Sequence, residues 1–124
     1  MKSIHFKTIP HSEQRYPTCG DYWLEGETYE IRVSKMSDWR YEFLVLFHEL
    51  LELAWVIYNK VPIEEIDSFD QNFEKNRVNK EDEPGDNTDA PYYWGHQYAT
   101  ICEKIAAHIL RVDWNIYENE INSL

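Results

Sequence analysis

Three ionisable side chains stand within five residues in the stretch Phe47-His48-Glu49-Leu50-Leu51-Glu52. On a helix, His48 and Glu52 project from one face, one turn apart, so an imidazole nitrogen and a carboxylate oxygen can reach one ion. Glu49 lies beside them, where it can reach a water held by that ion. The surrounding residues are apolar, and burying ionisable groups without partners is costly. A divalent cation satisfies all three groups together. His48 and Glu52 are therefore expected as metal ligands, and Glu49 as the catalytic group. The plainer alternative is that His48 and Glu52 pair only with each other, or with Arg and Tyr side chains.

Two ligands do not complete a site. Zinc prefers about four, and a catalytic centre keeps one place for water. Asp67 and Asp70 are three apart and share a helix face. His96 and Glu103 are seven apart, two turns along another helix, and also share a face. Asp67, Asp70 and His96 are the expected further ligands, while Glu103 has Lys104 and Arg111 as simpler partners. His5, His11 and His108 have no partner at ligand spacing. The expected cofactor is a divalent metal, zinc first, with manganese, iron and magnesium as alternatives.

The elements that must position these groups are legible in outline. Residues 3–8 alternate, with Ile4, Phe6 and Thr8 on one side, which reads as a half-buried strand. Tyr22 to Leu24 and Tyr29 to Val33 read as two strands joined by a turn at Glu25-Gly26-Glu27. Ser37 or Asp38 caps the next element, with Glu42 in its first turn. From Trp39 to about Asn59 there is no Gly or Pro and almost no polar face, which predicts a central helix buried all round. Pro62 opens a second helix to about Arg77, with Ile63, Ile66, Phe69 and Phe73 as its core stripe. Residues 78–90 form a charged, exposed loop. Pro91 starts a third helix to about Leu110, and Asp113 caps a short last one. The expected fold is α+β, one domain over residues 1–124: a short antiparallel sheet in the N-terminal third, beside a buried central helix with three further helices.

Composition narrows the function classes. Formal net charge is -11, from 23 acidic and 12 basic residues. Such a surface repels phosphate backbones, so no nucleic-acid partner is expected, and no apolar run approaches the roughly 20 residues of a membrane span. With 43% apolar and 15% aromatic residues, the chain is expected to fold rather than stay disordered. Cys19 and Cys102 form no CxxC pair and the first residues contain no signal-peptide pattern, so a cytoplasmic protein with free thiols is expected.

The strand at Tyr29 to Val33 followed by Arg40-Tyr41-Glu42-Phe43-Leu44-Val45-Leu46-Phe47-His48-Glu49-Leu50 resembles the edge strand and active helix of small zincin-type metallopeptidases. In that family the helix carries HExxH, whose two His bind zinc and whose Glu is the general base. The resemblance implies His48 as first ligand and Glu49 as base, with Glu52 standing where the second His would be. That departure keeps metal binding but also suits harder ions. The sequence is also similar to small phage and prophage proteins, through HExxE, Asp67-Ser68-Phe69-Asp70, Pro84-Gly85-Asp86, and Pro91-Tyr92 followed by His96. Glu49-x-x-Glu52 with Glu64-x-x-Asp67 is similar to the carboxylates of all-α nucleotide pyrophosphohydrolases of the MazG type, which would imply magnesium. A non-enzymatic reading also stands: an acidic phage-type protein that binds a host protein.

Overall fold

The computed structural model describes residues 2–124. Its elements are β1 (Ser3–Ile9), β2 (Gly20–Glu25), β3 (Thr28–Ser34), α1 (Trp39–Tyr58), α2 (Ile63–Lys75), α3 (Tyr93–Ile109) and α4 (Trp114–Ser123). Single 3-10 turns lie at His11–Glu13 and Pro84–Asp86. The fold is α+β, a three-stranded sheet in the N-terminal part followed by four α-helices. Among the described residues no helix is long and apolar enough to cross a membrane.

The sheet order is β1-β3-β2. β2 and β3 form the expected antiparallel hairpin, with Tyr22 opposite Ile31. β1 runs parallel to β3, with Phe6 level with Ile31, so the sheet is mixed rather than antiparallel. Alternation fixes which residues share a face but is blind to strand direction. The long 10–19 loop carries the chain across, so that β3 returns between β1 and β2.

β1 is not half-buried. Ile4 is 38% and Phe6 53% exposed, because α1 packs across β2 and β3. Beneath α1 lie Ile31, Val33 and Tyr22, with Leu44, Val45, Leu53 and Val56 contributed by the helix itself.

The Asp38 carboxylate caps α1 by accepting from the Arg40 amide at 2.9 Å, and Glu42 accepts from the Met36 amide at 2.9 Å. The first turn thereby gains acceptors for its free N–H groups. The helix is not buried all round. Tyr41, Leu44, Val45, His48, Glu52, Leu53 and Val56 face inward, while Trp39, Phe43 and Tyr58 are exposed. Asp113 caps α4 by accepting from the Ile116 amide at 3.1 Å.

α1 and α3 pack as antiparallel neighbours. At one end Arg40 donates to the Leu110 carbonyl at 3.0 Å, and toward the other Glu52 meets His96. The 78–90 loop is largely exposed, as expected, but Gly85 and Ala90 are buried and the loop folds back onto α3.

Candidate metal centre

His48 and Glu52 come from successive turns of α1, and His96 from the first turn of α3 across the helix seam. Three of their atoms converge. His48 Nε2 lies 3.2 Å from Glu52 Oε2, His96 Nδ1 lies 3.1 Å from the same oxygen, and the two nitrogens are 3.1 Å apart. All three side chains are buried. Donor atoms around a tetrahedral zinc, about 2.0–2.1 Å from it, stand about 3.4 Å from one another. The triangle is thus close to the size that such an ion requires.

Each converging group is held from behind. His48 Nδ1–H donates to Glu103 Oε1 at 2.8 Å, and Glu103 Oε2 accepts from the Tyr117 hydroxyl at 2.6 Å. Tyr22 donates to the other oxygen of Glu52, Oε1, at 2.9 Å. His96 Nε2 faces Glu83 Oε2 at 3.1 Å and Asp86 Oδ1 at 3.4 Å. A carboxylate only accepts, so each ring carries a proton on its outer nitrogen, and the inner nitrogen is the one left to offer a lone pair to an ion in the triangle. Carboxylate behind imidazole is the arrangement that fixes tautomer and orientation in metal-ligating histidines.

Gly85 lets the 78–90 loop lie against His96. A Cβ there would fall 2.4 Å from the imidazole Cγ. Gly20, at the start of β2, similarly admits Glu49, since a Cβ would fall 2.6 Å from its Oε1.

In the protein alone, the cluster competes for protons. Burial on its own would lower the His48 imidazole, but Glu103 and Glu52 overcome it and raise it to about 10. Burial likewise opposes charge on His96, yet Asp86, Glu52 and Glu83 raise it to about 12. Burial would raise the Glu52 carboxyl, and the two imidazoles instead hold it at about 2. Without an ion, two imidazole nitrogens 3.1 Å apart compete for one carboxylate oxygen. One divalent cation among the three atoms removes that conflict, which simple pairing of His48 with Glu52 does not.

Glu49 lines the same cavity, of about 770 Å³, beside the triangle. Burial, then the neighbouring Glu52 charge, pushes its carboxyl well above the usual carboxylate range. No described residue ties it down by a hydrogen bond as Glu52 and Glu103 are tied.

The expected ligands divide. His96 is brought to His48 and Glu52. Asp67 instead pairs with Arg15 at 3.1 Å. Asp70 accepts from Tyr16 at 3.1 Å and Tyr92 at 2.5 Å. Neither aspartate belongs to the converging set. They sit on α2, whose buried side turns them toward the 10–19 loop and Tyr92. Glu64 is exposed, so the carboxylates expected of a pyrophosphohydrolase, Glu49, Glu52, Glu64 and Asp67, are not assembled. Glu103 pairs with neither Lys104 nor Arg111 but with His48. Sequence reasoning missed Glu83, Asp86, Tyr22 and Tyr117. Only Tyr117, three residues after Trp114 and four before Ile121 on the short helix that Asp113 caps, carried a signal of burial. Cys19 and Cys102 are free, and His5 and His11 bond to Glu30 and Ser34.

No protein-family model, curated protein or solved structure matches this chain.

Proposed function

We propose that this is a divalent-metal protein whose ion is held by His48, Glu52 and His96, and that it acts as a metal-dependent hydrolase with Glu49 as general base. What carries the proposal is the convergence of His48 Nε2, His96 Nδ1 and Glu52 Oε2, with each outer imidazole nitrogen bonded to a carboxylate. Two imidazoles and one carboxylate with a place left open is a set used by catalytic zinc, which is the first choice of ion. Iron and manganese accept the same donors. The ion would supply a Lewis acid for a carbonyl or phosphoryl oxygen and acidify a bound water. The chain supplies the rest. Glu103 and the Glu83/Asp86 pair orient the imidazoles, Tyr22 orients Glu52, and Glu49, unfastened at the cavity wall, would accept a proton once the charge of the ion offsets the burial and the Glu52 charge that otherwise keep it protonated. The two free cysteines support a cytoplasmic location.

Elemental analysis of protein purified without added metal tests the ligand set. About one zinc per chain is expected, and His48→Ala and His96→Ala should each lose it. Full occupancy in His48→Ala would end the assignment. Glu49→Gln should keep the metal and the fold while abolishing turnover across a broad panel of ester, amide and phosphoester substrates. Metal retained with no turnover in wild type would leave a structural ion and sink the hydrolase half alone.

A further inference from the structure

The sides of α1 and α3 that face away from His48, Glu52, His96 and Glu103 are apolar and open. On α3 the stripe runs Trp94, Tyr98, Ile101, Ile105 and Ile109, at helical spacing, each more than half exposed. On α1 it runs Trp39, Phe43, the half-buried Phe47 and Tyr58, with Trp39 65% and Tyr58 86% exposed. Phe43 and Phe47 stack, with ring centroids 6.1 Å apart. The helices pack antiparallel, and both turn their ionisable groups to the same inner side of the seam. The two stripes therefore lie side by side as one face.

Two properties of the face say what covers it. The first is charge. The chain has 23 acidic residues, yet neither stripe contains one. The acids of α3 reduce to Glu103, which is buried, and those of α1 are Glu42, bonded to Met36, and the inward Glu49 and Glu52. At a net charge of -11, two copies repel through most of their surface. This face lets them meet without opposing carboxylates. It also offers a basic partner no anion to bind, and the net charge of the chain repels an anionic bilayer. The second property is area. At about 150–250 Å² for a large side chain, the exposed fractions leave roughly 1,000 Å² of apolar surface. That exceeds both the ~300–600 Å² of the largest patch on a typical monomer and the ~800 Å² per partner of a standard interface.

We infer that this chain is a homodimer in which the α1/α3 face of one protomer packs on the same face of its partner. A two-fold contact of this kind is isologous and closes on itself. It makes a four-helix layer with the two metal centres turned outward, away from the interface.

Sedimentation equilibrium on the full chain tests the inference. At tens of micromolar the mass should be twice 15.0 kDa. The double variant Tyr98→Asp/Ile105→Asp should sediment at 15.0 kDa with unchanged far-ultraviolet circular dichroism. Should that variant fail to fold, the milder Ile101→Ala/Ile105→Ala must weaken the dimer at least tenfold. Phe6→Asp, on β1, should leave the dimer intact. A monomeric wild type overturns the inference, including one that binds vesicles or another protein through this face. So does a dimer that survives the α3 variants, or one that only Phe6→Asp dissolves.

Discussion

Glu103 touches no converging atom of the centre, yet it decides which nitrogen of His48 carries the proton. Glu103→Gln keeps an acceptor for Nδ1–H, turns an amide NH2 on the Tyr117 hydroxyl, which can accept from it, and removes the charge. Metal affinity is expected to fall about 10–100-fold with the fold retained, as measured by competition with a chromophoric chelator. Unchanged affinity would show that Glu103 does not support the ligand. Asp70 offers a second measurement at this scale. Burial raises its carboxyl to about 7, against the pull of hydrogen bonds from Tyr92 and Tyr16. The folded protein thus holds a proton that the unfolded chain releases from about pH 4 upward. Its contribution to stability is complete below that pH and is lost as pH rises through 7. Asp70→Asn should flatten the pH dependence of urea unfolding in this window, by on the order of 2–4 kcal/mol. It should also be more stable than wild type at pH 8. An unaltered profile would mean Asp70 is ionised throughout. Among single residues, His48, Glu52 and His96 were legible because their helical spacing and apolar neighbours imply convergence inward. Glu83 and Asp86 were not, because nothing in an acidic loop tells which of its carboxylates turns back onto an imidazole. Asp67 and Asp70 shared a face as read, and Arg15, Tyr16 and Tyr92 satisfy them instead.

Helices were read to within a few residues, because caps and periodicity are local. Asp38 and Asp113 hold the first turns of α1 and α4 as their sequence positions imply. β1 shows the limit of local signals. Its alternation was real, but whether it pairs parallel and whether anything covers it depend on where α1 comes to rest. The same holds for the outer face of α1, whose apolar residues resemble core residues in type alone. The C-termini of α1 and α3 share a device that the sequence does not advertise. Lys60 and Arg111 both take φ of 56°, and the amides that follow, of Val61 and Val112, donate to the carbonyls of Val56 and Ala107 at 3.0 and 2.9 Å. Glycine is the residue that accepts this left-handed closure without strain. Lys60→Gly is expected to stabilise the protein by about 1 kcal/mol, raising the melting temperature by a few degrees. A lower melting temperature would show that the Lys60 side chain contributes more than its backbone strain costs.

The centre ties together parts of the molecule that are far apart in sequence: Tyr22 on β2, His48 and Glu52 on α1, the 78–90 loop, His96 on α3 and Tyr117 on α4. An ion bound there binds the folded state alone, so zinc at about 100 times its dissociation constant should add about 2.7 kcal/mol. Melting followed with chelator, and again after zinc is restored, should show a loss and recovery of several degrees that His48→Ala lacks. No difference between the two melts in wild type would mean the fold does not depend on the centre. Among the described strands, β1 is the one with no buried residue. Its outer edge meets no described strand, and Ile4 and Phe6 lie open on one face while Lys7 is the full charge within the strand. Such an edge is a template for another copy of itself, and a lysine is what commonly guards it. Concentrated stocks will therefore age by native protomers adding edge to edge through β1, with Lys7 setting the pace, and the precipitate will be folded protein rather than unfolded chain.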